Sequence, residues 1–332
     1  MTREGTPRWA IGIDTGGTFV DVVACASDGR LLSLKHPREA GRLAAPMLAG
    51  IERMLAENGI APASVVRLVH GSTVVTNLLL EHDAPPIGVL TTRGMKDLLA
   101  LARQRRRDLY ALHVPPPTPE AALFPARLRH EIAGRVDAEG REVEPVDDAE
   151  VLAAADMLVA AGVQSVAVCM LFSHLAPRHE RHVRDLLARA HPGLHVSISS
   201  EVDAKPREFE RFLGTALDAY AKPTVAGYLR ELSDALVARG LPEPFLMRSE
   251  GGISPWQDVV RRPISLAMSG PCAALLGVGA SLEHDGQEPT VIAIDVGGTS
   301  TDIGLLEAGQ PMFAESMQCG VRSVRLRCED VE

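Results

Sequence analysis

Short apolar runs alternate with helical apolar stripes along most of this chain. The run from Trp9 to Ala26 carries β-branched residues on both sides of Gly16-Gly17, which predicts two strands joined by a glycine turn. The predicted strands that follow are Leu31–Lys35, Val65–His70, Ile87–Thr91, Val166–Phe172, Leu194–Ser200, Phe245–Ser249 and Val291–Ile294. The predicted helices are Pro46–Asn58, Val74–Glu81, Met95–Arg103, Asp147–Ala161 and Arg178–Ala190.

After Asp203 the pattern changes to one long apolar stripe. It predicts a helix that starts near Pro206 and is kinked or ended by Pro223, then a second helix that runs to Arg239. Because strands alternate with helices throughout, the fold class is α/β. A chain of 332 residues is long enough for two domains, and we place their boundary near residue 200.

Charge and cysteine content exclude several classes of protein. The net charge of −9 argues against nucleic acid as the main partner, because phosphate backbones need a basic face. The five cysteines form no Cys-x-x-Cys pair, and their odd number is typical of a reducing compartment. The polar N-terminus and the lack of a long apolar stretch predict no membrane segment, so we expect a cytoplasmic protein.

One motif occurs twice. Residues 13–21 and residues 294–302 both read Ile-Asp-x-Gly-Gly-Thr-x-x-Asp, and both follow an apolar β-like run. A single copy is also explained by an ordinary hairpin, with the threonine as a hairpin side chain and the aspartate as a turn cap. Two copies instead favour a shared function.

The motif has the chemistry of a phosphate-binding turn. Glycines bring backbone N–H groups close to a ligand, where they and the threonine hydroxyls can donate to phosphate oxygens. An aspartate beside phosphates requires a cation between them, so Asp14 and Asp295 predict Mg²⁺, held directly or through water. The predicted ATP contacts are Thr15, Gly16, Gly17, Thr18, Gly297, Gly298, Thr299 and Ser300. Asp21 and Asp302 are expected to support the turns, and they could also position water.

The motifs together resemble a known family. The matching stretches, in family order, are Gly12–Asp21, His70–Glu81, Thr91–Gly94, Arg103-Gln104 with Leu109-Tyr110, Arg207–Arg211, Ser249 with Gly251-Gly252, Ser269–Pro271 and Asp295–Asp302. The doubled glycine motif resembles the phosphate-1 and phosphate-2 pattern of the actin-like ATPase, sugar kinase and heat-shock chaperone superfamily. More narrowly, the chain is similar to the hydantoinase A / 5-oxoprolinase family.

The resemblance implies a ribonuclease-H-like, actin-like fold with mixed sheets, flanking helices and two related halves. Residues 1–200 would form the hydantoinase/oxoprolinase N-terminal domain, and residues 201–332 the start of the hydantoinase A/oxoprolinase domain. The implied activity is ATP-dependent hydrolysis of a cyclic amide, such as a hydantoin or 5-oxoproline, through phosphorylation of the amide oxygen. A large hydantoinase B-type subunit would be the partner, and a homo-oligomer is a further option.

Several alternatives stay open. The same fold serves ATP-dependent ketone carboxylase subunits, non-catalytic nucleotide-binding modules and small-molecule kinases. The chain has about half the usual length of the family and lacks the later glycine-rich segment that would cradle adenosine, as a fragment, a truncated product or a degenerate paralogue would. The departures from the family at Phe212, Asp218, Glu250 and Cys272 concern the substrate more than the nucleotide.

The resemblance also favours further site residues. His70 and Arg103 join Asp14 and Asp295 as expected catalytic residues, and Thr73, Asn77 and Gln104 as substrate contacts. Read from the residues alone, the segment after His70 is equally a capped helix start, with Ser72 or Thr73 as the cap. His174, His179 and His182 lack the pattern of a zinc site, so we expect no metal there.

Overall fold

The structure is a computed structural model that describes residues 7–38, 43–81, 84–103, 109–110, 112, 123–283, 290–296, 301–319, 322–326 and 328–329. The strands are β1 (Trp9–Thr15), β2 (Phe19–Ala26), β3 (Leu31–Pro37), β4 (Val65–Ser72), β5 (Gly88–Thr92), β6 (Arg129–Ile132), β7 (Arg135–Val136), β8 (Glu142–Glu144), β9 (Ser165–Cys169), β10 (His195–Ile198), β11 (Phe245–Met247), β12 (Ile253–Pro255), β13 (Val291–Val296), β14 (Thr301–Glu307), β15 (Gln310–Pro311), β16 (Phe313–Ala314), β17 (Met317–Cys319), β18 (Arg322–Val324) and β19 (Cys328–Glu329). The α-helices are α1 (Ala44–Glu57), α2 (Val74–Glu81), α3 (Leu98–Leu101), α4 (Asp148–Ala160), α5 (Arg178–Ala190), α6 (Ser199–Val202), α7 (Glu208–Val237), α8 (Trp256–Arg261) and α9 (Ser269–Glu283). Short 3₁₀ helices occupy Pro62–Ser64, Ala126–Leu128 and Pro263–Leu266.

The chain forms two compact units. The first unit combines Met1–Leu80 with Thr224–Glu332, and the second consists of Glu81–Pro223. The sequence predicts a domain boundary near residue 200, which divides the chain into two consecutive regions. That boundary stays a prediction.

A six-stranded mixed sheet organises the first unit. Its strand order is β12-β11-β4-β1-β2-β3, with β1 parallel to β4 and antiparallel to β2. Alternate residues of β1 and β2 are buried, among them Ile11, Ile13, Val20 and Val22, as the apolar pattern predicts. Helix α1 contributes Met47 and other apolar side chains to the same core. The sheet holds β1, which carries Asp14, at its centre.

A four-stranded parallel sheet organises the second unit, in the order β10-β9-β5-β6. Strands β5 and β9 are buried along their whole length, as expected for a parallel sheet covered on both faces. Helix α4 begins with a capping side chain, since Asp147 accepts hydrogen bonds from the N–H groups of Ala149 and Glu150. Helices α4 and α5 supply Val151, Leu158 and other residues to this core.

The expected fold class, α/β, is confirmed, and several elements differ from their predictions. The strand expected over Val166–Phe172 spans Ser165–Cys169. The helix expected over Met95–Arg103 is reduced to α3, and the strand expected over Leu194–Ser200 ends at Ile198, where α6 begins. Helix α7 continues through Pro223, where the sequence predicts a kink or an end. Buried residues on both sides of Pro223, including Tyr220 and Val225, favour the helix more than one missing hydrogen bond disfavours it. Among the described residues, no helix is both long enough and apolar enough to cross a membrane.

Candidate functional site

The first copy of the repeated motif forms the hairpin between β1 and β2. Asp14 and Asp21 are partners across the two strands, and the N–H of Gly16 donates to the Phe19 carbonyl at 3.0 Å to close the turn. Residues directly opposite each other in an antiparallel pair point to the same face, where two carboxylates repel each other. The motif therefore concentrates negative charge beside a glycine turn.

The second copy has the same geometry. Strands β13 and β14 are antiparallel, with Asp295 opposite Asp302 and Ile294 opposite Ile303. The matching aspartates of the first copy occupy the same register, so the internal repeat of the sequence is also a structural repeat. Four predicted ATP contacts of this turn, Gly297, Gly298, Thr299 and Ser300, lie outside the described residues.

The Asp14 carboxylate lies against two glycines that are far apart in the sequence. A Cβ atom on Gly71, at the end of β4, would lie 3.3 Å from Oδ1 of Asp14, and so would a Cβ atom on Gly270, at the start of α9. A contact of 3.3 Å is tighter than most Cβ contacts, so each glycine leaves room for the carboxylate. The 15-residue helix α9 therefore begins beside Asp14.

The electrostatics of Asp14 link the two motif copies. The surrounding protein removes part of the hydration of this exposed carboxylate and, together with repulsion from Asp21, Asp295 and Asp302, raises its pKa to about 6. The N–H of Thr15 opposes this rise. A bound cation would relieve the repulsion and lower this pKa.

Serine and threonine hydroxyls fix the loops around Asp14. The hydroxyl of Ser269 donates to the Ser72 carbonyl at 2.9 Å and accepts from the Ser72 N–H at 3.2 Å, which joins α9 to the end of β4. The hydroxyl of Thr73 donates to the Thr15 carbonyl at 3.1 Å, and Asn77 donates to the same hydroxyl at 3.4 Å. The contacts of Thr73 and Asn77 seen here are therefore internal to the protein.

The start of α2 is capped as the residues alone suggest. The hydroxyl of Ser72 accepts from the Val74 N–H at 3.1 Å. Nearby, the Thr15 hydroxyl is buried and has no hydrogen-bond partner within the described part of the chain. Consecutive residues of a strand point to opposite faces, so this hydroxyl lies on the core side of β1 with Ile11 and Ile13, away from the exposed Asp14 carboxylate.

His70 lies in the core behind this region. Its Nε2 is 2.6 Å from the Tyr228 hydroxyl, and its Nδ1 is 3.4 Å from the Ile13 carbonyl. Burial lowers the pKa of His70 to about 4, so the ring is neutral and Tyr228 donates to it. The structure gives His70 two partners inside the protein, while its expected catalytic role stays a prediction.

The remaining predicted residues lie in the second unit. Arg103 forms an ion pair with Glu210, and Gln104 lies outside the described residues. His179 contacts Glu142 and His182 contacts Asp148, each at 2.6 Å, while His174 lies 3.3 Å from Nη1 of Arg211. These histidines thus pair with separate partners.

The residues around Asp14 fit Mg²⁺ together with a polyphosphate. In the part of the chain that is described, no three His, Cys, Asp or Glu side chains cluster closely enough to hold a metal by themselves. Mg²⁺ is commonly held by one or two carboxylates together with phosphate oxygens and water, which suits Asp14 with Asp295. The space that Gly71 and Gly270 leave beside the Asp14 carboxylate is consistent with such a ligand.

The sequence indicates no site role for Gly270, Ser269 or Tyr228. The motif Ser269–Pro271 was visible as a family match, but its contact with Asp14 joins residues far apart in the chain. Local periodicity carries no information about such contacts. Arg38 is a further residue of this kind, since its guanidinium donates to the Gly16 carbonyl at 2.8 Å.

Comparison with known proteins identifies relatives across almost the whole chain. The caprolactamase subunit alpha of Pseudomonas jessenii is 29% identical over 313 residues, which cover 93% of this chain and 45% of that subunit. The acetophenone carboxylase gamma subunit of Aromatoleum aromaticum is 30% identical over 317 residues, which cover 90% of this chain and 42% of that subunit. The chain thus spans less than half the length of these relatives.

Structural comparison agrees. The crystal structure of the ATP-dependent caprolactamase from Pseudomonas jessenii matches with a TM-score of 0.84 and 28% identity, over 97% of this chain and 47% of that chain. This match confirms the expected actin-like α/β fold. The family described as hydantoinase/oxoprolinase N-terminal region matches residues 10–191, and the one described as hydantoinase/oxoprolinase matches residues 211–331. The chain belongs to the hydantoinase/oxoprolinase family.

Proposed function

We propose that this chain binds MgATP through its two motif hairpins as part of an ATP-dependent enzyme that hydrolyses a cyclic amide. The observation that carries the proposal is the position of the Asp14 carboxylate. It lies against Gly71 and Gly270, and the carboxylates of Asp295 and Asp302 in the second hairpin raise its pKa by repulsion. Two carboxylate-bearing turns that act on one another are what a shared metal-bound polyphosphate requires.

In this proposal the first turn binds through its backbone and hydroxyl groups. The N–H groups of Gly17 and Thr18 would donate to phosphate oxygens, whereas the Gly16 N–H closes the turn, so Thr15 and Gly16 stay predicted contacts. The second turn would bind through Gly297, Gly298, Thr299 and Ser300. Asp14 and Asp295 would hold Mg²⁺, directly or through water, and the metal would neutralise charge on the phosphates. His70 would act from inside the core by holding the end of β4, which carries Gly71, against β1.

The proposed reaction activates an amide that water alone attacks slowly. The amide oxygen attacks the γ-phosphorus of ATP, the bond from that phosphorus to the bridging oxygen breaks, and ADP leaves. Water then adds to the ring carbon, and the ring C–N bond breaks as the nitrogen takes a proton, which leaves an acyl phosphate. A second water attacks the acyl carbon, and phosphate departs to leave the carboxylate. The similarity to a caprolactamase subunit favours a cyclic amide as substrate and a second subunit as partner. The proposed contacts to substrate or phosphate are Arg103, Gln104, Thr73 and Asn77.

A ketone carboxylase is the second candidate, because a subunit of acetophenone carboxylase is similar over 90% of this chain. Here ATP would phosphorylate a ketone enol or bicarbonate. The two candidates use the same nucleotide site and differ in the acceptor of the phosphoryl group. The geometry around Asp14 serves either one.

Phosphate release from MgATP, with the 332-residue chain alone and with a co-expressed large subunit, tests the proposal. Hydantoins, 5-oxoproline and caprolactam form one substrate set, and ketones with bicarbonate form the other. We expect a cyclic amide to accelerate ATP turnover, Asp14→Asn to abolish it and Asp28→Asn, at the exposed end of the β2–β3 hairpin, to leave it unchanged. Acceleration by ketones with bicarbonate alone would replace the amidohydrolase with the carboxylase. Turnover that no substrate accelerates would favour a nucleotide-binding module.

A further inference from the structure

Arg38 holds the first glycine turn from the side of strand β3. Its Nη1 donates to the Gly16 carbonyl at 2.8 Å, and its own backbone N–H donates to the Thr18 carbonyl at 2.9 Å. Arg38 is half-buried, so its side chain is partly enclosed in this position. The carbonyl groups on both sides of Gly17 are thereby fixed by a single residue.

The N–H groups of the same turn are arranged differently. The Gly16 N–H is used to close the hairpin, at 3.0 Å from the Phe19 carbonyl. The N–H groups of Gly17 and Thr18 donate to no group that the structure describes. Successive backbone N–H groups of a turn can bind an anion when no protein group accepts from them. The carbonyl oxygens of Gly16 and Thr18 accept hydrogen bonds from Arg38, so they are held away from the anion that they would otherwise repel.

We propose that Arg38 is a positioning residue for phosphate. By holding the Gly16 carbonyl it keeps the N–H groups of Gly17 and Thr18 available to the polyphosphate. This inference rests on the proposed function, because it assigns Arg38 to the same nucleotide site. It adds a residue outside the repeated motif.

Arg38 could instead favour phosphate binding through its positive charge alone. A second cation near the turn allows the two explanations to be compared. This cation is Lys35 of strand β3, whose Nζ is 3.3 Å from Oδ1 of Asp21. It touches no carbonyl of the turn in the described contacts. If net positive charge were the whole effect, loss of Lys35 would weaken phosphate binding as much as loss of Arg38.

The experiment measures binding of MgATP and of magnesium tripolyphosphate by titration calorimetry to the wild type and to Arg38→Met, Arg38→Lys and Lys35→Met. The thermal unfolding midpoint of each protein shows that it is folded. We expect Arg38→Met to weaken both probes by about tenfold, the effect of one lost hydrogen bond to a charged donor. Arg38→Lys should recover part of the affinity, since an ammonium group can reach the same carbonyl, and Lys35→Met should change it by less than about twofold.

Wild-type affinity in Arg38→Met, or an equal loss in Lys35→Met, would overturn the role of Arg38 and leave the nucleotide site standing. Wild-type protein that binds neither probe would overturn the proposed function, and the role of Arg38 with it. If Arg38→Met does not fold, Arg38→Lys alone decides, because a guanidinium and an ammonium should hold the carbonyl unequally. Equal affinity in Arg38→Lys and the wild type would then overturn the inference.

Discussion

The hydroxyl oxygen of Tyr228 lies 2.6 Å from Nε2 of His70, directly behind the strand end that places Gly71 beside Asp14. The rings of the two residues meet edge to face, with centroids 6.0 Å apart. Both side chains are buried, so this contact connects helix α7 to β4 inside the first unit. It explains how a residue deep in the core can influence the candidate nucleotide site.

Replacement of Tyr228 by phenylalanine tests this contact. The change keeps the ring and leaves Nε2 of His70 buried without a donor, which costs about 1–3 kcal/mol. We expect the thermal unfolding midpoint to fall by several degrees, as differential scanning calorimetry would measure. Tyr110→Phe is the matched control, because Tyr110 is 92% exposed and should tolerate the change. An unchanged midpoint in Tyr228→Phe would show that the hydrogen bond contributes little.

His70 also predicts how stability depends on pH. Because burial lowers its pKa from 6.5 to about 4, the unfolded chain binds a proton in this interval that the folded chain does not. The contribution of His70 is therefore complete above pH 6.5 and is lost as the pH falls toward 4, by about 3 kcal/mol in total. Denaturant unfolding at several pH values measures this slope, and His70→Gln should reduce it. An equal slope in the variant would assign the acid sensitivity to other groups.

Gly270 and Gly277 provide a matched pair within helix α9. A Cβ atom at Gly270 would crowd the Asp14 carboxylate at 3.3 Å, whereas a Cβ atom at Gly277 would meet nothing within 4 Å. We expect Gly270→Ala to weaken MgATP binding severalfold, since Asp14 or the helix start must move. Gly277→Ala should keep the affinity and raise stability by up to about 1 kcal/mol. Equal affinities in both variants would separate Gly270 from the nucleotide site.

Arg211 predicts a large effect on stability in the second unit. Its fully buried guanidinium donates to the Ser199 hydroxyl at 3.1 Å and to the Met170 carbonyl at 3.1 Å. The buried Glu180 carboxylate accepts from the same Ser199 hydroxyl at 2.6 Å. Burial raises the pKa of Glu180. Arg211→Met should cost about 3–5 kcal/mol, because it leaves these groups without their charged partner. Exposed Arg181→Met is the control, and equal unfolding midpoints would contradict this account.

The sequence predicts the local elements well and the long-range contacts poorly. Helices α2 and α5 have the predicted limits, and the first motif hairpin forms as expected, because turn chemistry and apolar periodicity are local properties. Helix α7 passes through Pro223 because burial outweighs local preference. The glycine repeat predicts a site at Asp14 and Asp295. The contacts of Gly270 with Asp14, of Ser269 with Ser72 and of Tyr228 with His70 come from distant segments. No local rule connects those segments to Asp14.

The most direct test of the central claim is a double-mutant cycle on MgATP affinity, with Asp14→Asn, Asp295→Asn and the combined variant measured by titration calorimetry. If both carboxylates hold one metal-bound polyphosphate, each single change should weaken binding by at least about tenfold, and the combined loss should be smaller than the product of the two. Affinity that is unchanged in Asp295→Asn, or losses that simply multiply, would contradict a shared site between the two hairpins.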